Sequence, residues 1–279
     1  MTRSALRRRV GGGLLVSATL GGPGLALATE PVTLAASRDY VIGSSIVSSA
    51  GHLGESGQSL SLSPVWAFQL GRFRLATSRA NSLLSVGREA VDPGLSTVLV
   101  TADGWRISTS LQIRDKREAG DDPLLSGLPD VRATLLGRAT ASIALGPRWS
   151  WSLSGTHDLL DRGAGLSLGT GLGYRYPVSS DTYWDASVGL GWGNALNQQT
   201  SFGISPEAAL ASGRATYSLG AGLNSASLGW GLTSALSEHW VAFGGLSVSQ
   251  LQGAAARSPL VGRKTVVGAS IGLAYRGSR

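Results

Sequence analysis

The chain has 279 residues, 15% of them charged, with 40 Gly, no Cys and a formal net charge of +7. Charge this sparse is low beside the roughly 25% of soluble domains, and the missing thiols exclude disulfides and thiolate metal sites. No apolar run reaches the roughly 18 residues that a membrane-crossing helix needs, so a helical membrane protein is excluded as well.

Residues 1–28 carry Arg3, Arg7, Arg8 and Arg9, a weakly apolar segment, then Ala26-Leu27-Ala28. That order of basic, apolar and small residues predicts a secretory signal peptide. Removing its four Arg lowers the net charge from +7 to +3, so the basic balance gives no reason to expect nucleic acid as a partner. Residues 29–39 read as a periplasmic lead-in. From there to Arg276 the pattern is extended, and residues 277–279 form a tail.

Alternation with a period of two runs along the whole remainder. Tyr40 to Ser49 is a first strand with poor alternation. In Ser59 to Leu70, the side chains Leu60, Leu62, Pro64, Trp66, Phe68 and Leu70 share one face. Arg72 to Gly87 is irregular: Ser78 to Asn81 breaks the pattern, and the stretch fits one irregular strand or two short ones. Ser96 to Ala102 leads into Asp103-Gly104, a tight hairpin signal, and Trp105 to Arg114 alternates again. After a polar loop over 115–130 come Thr134 to Leu145, a Gly146-Pro147 turn and Trp149 to His157. Leu166 to Tyr176 and Tyr183 to Gly193 set large apolar residues against Gly and Ser. A long connection over 194–222 precedes the clearest segment, Leu223 to Leu236. Here Ala226, Leu228, Trp230 and Leu232 oppose Ser225, Ser227, Gly229 and Gly231. A helix would place Leu228 and Trp230 roughly 200° apart, so a strand is required. Trp240 to Leu251 and Thr265 to Arg276 complete the series.

These segments predict about twelve strands of ~9–12 residues, the span of a tilted transmembrane strand. Every second link is short and the others are generally longer, the asymmetry of an outer-membrane barrel with short periplasmic turns. The expected fold is therefore all-β: a transmembrane antiparallel up-and-down β-barrel over 40–276, in the bacterial outer membrane and in contact with its lipid. A second regularity agrees. Trp66, Phe68, Phe73, Trp105, Trp149, Trp151, Tyr174, Tyr176, Tyr183, Trp184, Trp240 and Tyr275 all fall near short-turn ends. Rings with one apolar and one polar edge favour the headgroup level, so they predict an aromatic girdle.

The family resemblance rests on particular residues. Phe202-Gly203-Ile204-Ser205-Pro206-Glu207-Ala208-Ala209, then Ser212-Gly213 and Tyr217, look like a segment of the MipA/OmpV outer-membrane family. Glu238-His239-Trp240, Leu251, Ala254-Ala255, Ser258-Pro259-Leu260-Val261 and Gly272 to Arg276 continue the match through the last third. The chain thus resembles that family. The resemblance implies a scaffold that brings a lytic transglycosylase together with a murein synthase, while other members are described as adhesins or as stress-related. It implies no catalytic residues and no cofactor. Such barrels usually end on an aromatic residue read by the barrel-assembly machinery; here Tyr275-Arg276 is followed by Gly277-Ser278-Arg279.

Candidate chemistry is thin. Ser154, His157 and Asp158 could suggest a hydroxyl activated by imidazole, but Ser154 and His157 differ by an odd number and face opposite sides of a regular strand. His52, His157 and His239 lack ligand spacing. Arg72, Arg74, Arg106, Arg114, Arg138, Arg175 and Arg276 fall on inward faces, with Asp185 as the clearest acidic neighbour. They fit either a basic lumen that selects anions or a narrow, plugged barrel in which Arg pairs with loop carboxylates such as Glu89 or Asp121. Ser205-Pro206 opens a capped helical turn in a long loop. No enzyme is expected. The readings are a murein-enzyme scaffold at the periplasmic rim, a narrow pore with a basic lumen, and an adhesin acting through the long loops 115–130 and 194–222.

Overall fold

The computed structural model describes residues 39–49, 59–77, 80–84, 92–119 and 123–278. The signal peptide and nearly all of the lead-in expected from the sequence lie outside the described residues. The strands are β1 (Tyr40–Ser49), β2 (Ser59–Leu70), β3 (Phe73–Ala76), β4 (Gly94–Ala102), β5 (Trp105–Arg114) and β6 (Thr134–Ala144). They continue as β7 (Trp149–Asp158), β8 (Leu166–Pro177), β9 (Thr182–Gly193), β10 (Gly222–Ala235), β11 (Trp240–Leu251) and β12 (Thr265–Gly277). Each pairs antiparallel with its sequence neighbour, and β12 pairs with β1, so the sheet closes into a twelve-stranded barrel. Closure matters because no amide edge can face hydrocarbon without loss of hydrogen bonding. Among the described residues no helix is long and apolar enough to cross a membrane; the crossing is made by strands.

The alternation in the sequence becomes the two faces of the wall. On β7, Trp149 and Leu153 are exposed on the outside while Ser150, Ser152 and Ser154 are buried on the inside. On β5, Arg106, Ser108 and Ser110 are buried, and Leu111 and Ile113 are exposed. These small inward side chains are covered by their neighbours. The links over 71–72, 103–104, 145–148, 178–181 and 236–239 are short, and all lie at one end; those at the other end are longer. Gly71 and Gly104 adopt φ of 60° and 78° in the two tightest turns, where a Cβ would be strained. The last strand runs through Gly277, which sits opposite Tyr40.

The irregular stretch after Arg72 is where the wall departs from a uniform barrel. β3 has only 4 residues and pairs with β2 from Leu70 and Phe73 up to Ala67 and Ala76. Thr77 then closes the ladder: its N–H donates to the Trp66 carbonyl at 2.9 Å, and Trp66 N–H donates to Thr77 Oγ1 at 3.2 Å. Beyond it the chain turns into the barrel and forms α1 (Asn81–Leu84). Ala80, Leu83 and Leu84 are buried against Val41, Val65, Ala67, Val241, Phe243 and Ala274, all on the inner faces of β1, β2, β11 and β12. The sequence reading took this stretch as one irregular strand or two short ones; instead a four-residue strand is followed by an inward helix. The physical reason is the Leu83-Leu84 pair. A strand would send one to each face, whereas a helical turn sets them only about 100° apart, and both are buried against the inner wall.

Candidate functional site: the interior and the two ends of the barrel

The interior is cationic and largely covered. Arg74, Arg106 and Arg276 are buried, while Arg114, Arg138 and Arg175 are half-buried. Arg74 Nε donates to Gln69 Oε1 at 2.8 Å. The Arg175 guanidinium lies 4.3 Å from the Tyr183 ring centroid and faces Asp185 across the β8–β9 pair. Arg138 has both a carboxylate and a hydroxyl partner. Its Nε is 3.2 Å from Asp92 Oδ1, its Nη2 donates to Ser154 Oγ at 3.0 Å, and Thr140 Oγ1 donates to the second Asp92 oxygen at 2.7 Å. Asp92 thus ties the end of the 77–93 segment to the inner wall of β6. Glu89 and Asp121, the partners considered from the sequence, lie outside the described residues. Arg72 does not face inward: it is exposed in the β2–β3 turn, 5.8 Å from the Phe73 ring centroid. A two-residue turn has no inner face to offer it.

The long-loop end carries a folded cap. Two helices, α2 (Ala195–Phe202) and α3 (Pro206–Ser212), stand in the β9–β10 link. Asn194 caps the first through Asn197 N–H at 2.9 Å, and Ser205 caps the second through Ala208 N–H at 3.2 Å. The exposed Glu207 carboxyl is held below its ordinary range by its own backbone N–H and then by the Ser205 hydroxyl. Leu125 and Leu128 of the β5–β6 link, Ile204 and Ala208 of the β9–β10 link, and Leu260 of the β11–β12 link form one apolar cluster. The β5–β6 and β11–β12 links start six strands apart in a twelve-strand ring, on opposite sides, so their contact lies over the mouth. Polar ties hold it there: Arg117 donates to the carbonyls of Ser201 and Thr200 at 3.1 and 3.0 Å, and Tyr217 Oη donates to Ala254 O at 2.8 Å. The remaining short link, over 159–165, is organised by the buried Asp158. Its carboxylate accepts from Thr134 Oγ1 and from the N–H groups of Leu160, Arg162 and Ala164. His157 is exposed, whereas Ser154 is buried and bonded to Arg138.

Across residues 42–277 the chain matches the family described as MltA-interacting protein MipA. It belongs to that family. No curated protein sequence matches. Among solved structures it is similar to the KdgM porin, at 8% identity over 84% of this chain and 98% of that one, with a TM-score of 0.41. It is also similar to the CymD monoaromatic hydrocarbon channel, at 11% identity over 90% and 92% of the two chains, TM-score 0.40. A third is the anion-selective porin from Comamonas acidovorans, at 10% identity over 85% and 98%, TM-score 0.36.

In this MipA-family barrel the aromatic residues of the short-turn end gather into groups. Trp149, Tyr174, Trp184 and Tyr176 form a chain with centroid separations of 4.8, 5.5 and 5.8 Å. Tyr275 touches Tyr40, His239 and Trp240 at 6.4, 5.3 and 5.5 Å. Trp66 lies 6.0 Å from Phe68. Trp105 is exposed, and both Trp105 and Trp151 stand opposite Ile143 on β6. Tyr183 differs from these: it is buried on the inner face under Arg175, because it falls on the opposite parity of β9 from Trp184. Sequence reasoning missed the inward α1, the anchoring role of Asp92 and the packing of the long loops onto one another. Leu83-Leu84 inside a polar stretch is the one local signal for the first; the other two join residues far apart in the chain.

Proposed function

We propose that this MipA-family protein is a barrel of the bacterial outer membrane that holds murein-remodelling enzymes at its short-turn, periplasmic rim and performs no catalysis of its own. The observation that carries this is family membership over residues 42–277, in a family described by its interaction with MltA. Two features of the interior support a surface-acting role over free permeation. α1 occupies the inner face of β1, β2, β11 and β12, and loops from opposite walls meet over the other end. The docking surface comprises the five short turns, with exposed Arg72, Asp103, Arg148 and Glu238, together with the lead-in and the tail. The partners are a lytic transglycosylase and a murein synthase. The girdle is Trp66, Phe68, Trp105, Trp149, Trp151, Tyr174, Tyr176, Trp184, Trp240 and Tyr275, seated at headgroup level. The tagged full chain, captured from detergent-solubilised envelopes, should enrich both enzyme classes over an unrelated barrel. Charge reversal at Arg72 and Arg148 together should reduce that enrichment. Equal recovery on the control barrel sinks the proposal.

A second reading is a narrow anion pore, supported by inward Arg106, Arg114, Arg138, Arg175 and Arg276. Planar-bilayer conductance with anion preference, lowered when Arg138 is replaced by Gln, favours it; silent bilayers do not.

A further inference from the structure

The outer face of the wall is not evenly filled. A groove of about 510 Å³ crosses it from β7 to β11. Trp151, Leu172, Val188, Leu228 and Val248 stand opposite one another in register along one side of it. In the adjoining row Thr170 and Ala226 are short, so the surface dips there. The Thr170 hydroxyl donates to the Ser152 carbonyl at 3.1 Å, which leaves the floor apolar. The groove slopes. Trp151 lies two residues into β7 from its short-turn end, whereas Val248 lies eight residues into β11. Four strand spacings make it about 19 Å long, and with strands tilted about 45° it descends about 13 Å, close to the ~15 Å hydrocarbon depth of one leaflet. Its high end reaches the long-loop rim at Gln250, an exposed amide on the outer face. Gln250 stands opposite Thr265, which Arg263 and Lys264 immediately precede. Both cations are exposed, and among the described residues neither side chain has a hydrogen-bond or ion-pair partner. The β11–β12 link that carries them, together with Arg257, contains no acidic residue.

We propose that this groove is a binding site for a phosphate-bearing lipid of the leaflet on the long-loop side. One acyl tail lies in the groove from Gln250 down to Trp151, and the phosphate sits on Arg263 and Lys264. The proposal rests on reading the chain as a barrel of the outer membrane and is independent of its enzyme partners. Three features fit this occupant together. The slope carries a tail from head-group level into the hydrocarbon. The Gln250 amide meets the polar junction between tail and head group. The two cations complement a phosphate, with charge-assisted hydrogen bonds that a neutral head group does not offer. A second copy of the chain is a poorer occupant. Two-fold packing through this face brings equivalent patches together, which sets Arg263 and Lys264 against the same cations of the partner.

The test uses the full chain in phosphatidylcholine vesicles that contain a trace of phosphatidic acid with a photoactivatable diazirine on one acyl tail. Cross-links mapped by peptide mass spectrometry should concentrate on the groove segments of β8, β9 and β10. They should exceed, about tenfold at low salt, those from phosphatidylcholine carrying the same tail. Arg263→Gln combined with Lys264→Gln should bring the phosphatidic acid yield down to the phosphatidylcholine level. Ala226→Trp, which fills the floor from the outer face, should remove the groove cross-links for both lipids. Folding of each variant is verified by heat-modifiable gel mobility. Equal yields from the two lipids in the wild type, or cross-links spread evenly around the barrel, overturn the site. So does an undiminished groove signal in folded Ala226→Trp, or a groove shielded from both lipids in a cross-linkable dimer. A chain that neither floats with vesicles nor shows heat-modifiable mobility overturns the barrel reading and the site with it, whereas an inserted chain without lipid preference overturns the site alone.

Discussion

The β7–β10 side and the β2–β4 side of this barrel are built from the same residue types and end up unlike each other. On the first, β8 and β9 stay paired from Ser167 and Gly193 to Pro177 and Tyr183, and β9 and β10 stay paired from Gly193 and Gly222 to Thr182 and Ser234. On the second, β2 and β3 share, among the described residues, only the four pairs from Ala67 and Ala76 to Leu70 and Phe73. The difference lies in what the chain does with consecutive apolar residues. Strict alternation gives each face one kind of surface, and hydrogen bonding then carries the strand across the membrane. Leu83-Leu84 cannot be divided between lipid and a polar interior without cost, so Ala80, Leu83 and Leu84 leave the wall and pack on its inner face. A barrel is held shut by its ladder, and it tolerates one truncated strand because the neighbouring pairs and the inward cluster replace what the ladder lost.

The comparison can be broken most severely by placing a ladder fault on the regular side. Val188→Pro on β9, flanked by Leu172 and Leu228, should cost about 3 kcal/mol or more and abolish the heat-modifiable folded form. On the irregular side, Leu83→Ala and Leu84→Ala should each lower stability by about 3 kcal/mol, read as a lower urea midpoint. Their buried methyl groups sit on Val41, Val65 and Val241 in the inward cluster. Asp92→Asn should cost about 2 kcal/mol, because it weakens the tie to Arg138 and Thr140 while both ionic side chains retain some exposure. Ser205→Ala removes the cap of α3 and should cost about 1 kcal/mol; faster amide exchange confined to Pro206–Ser212 is the readout. The smallest effect sharpens the comparison most. Pro64→Ala should change stability by no more than about 0.5 kcal/mol, since among the described residues β2 has no ladder partner opposite Pro64 on that edge. A gain well beyond this in the urea midpoint would mean that the edge is paired.

The architecture was largely legible in the residues because a membrane barrel is governed by short-range periodicity. Leu228 and Trp230 on one parity of β10, with Ser227 and Gly229 on the other, determine faces without any distant contact. Asp103-Gly104 marks a hairpin because few residues accept that backbone, and Ser205-Pro206 marks a helix start because a hydroxyl and a missing N–H suit its first turn. The family, too, was readable, from Phe202-Gly203-Ile204 through to Tyr275. What the tertiary structure alone decided concerns groups separated by many residues. Asp92 meets Arg138 only because the chain re-enters the wall beside β5 and β6. The cap forms because Leu125 and Leu260 start on opposite walls and burial of apolar surface rewards their meeting over the mouth. The early end of β3 at Ala76 follows from burial of a helix inside the barrel, which no residue of β2 announces.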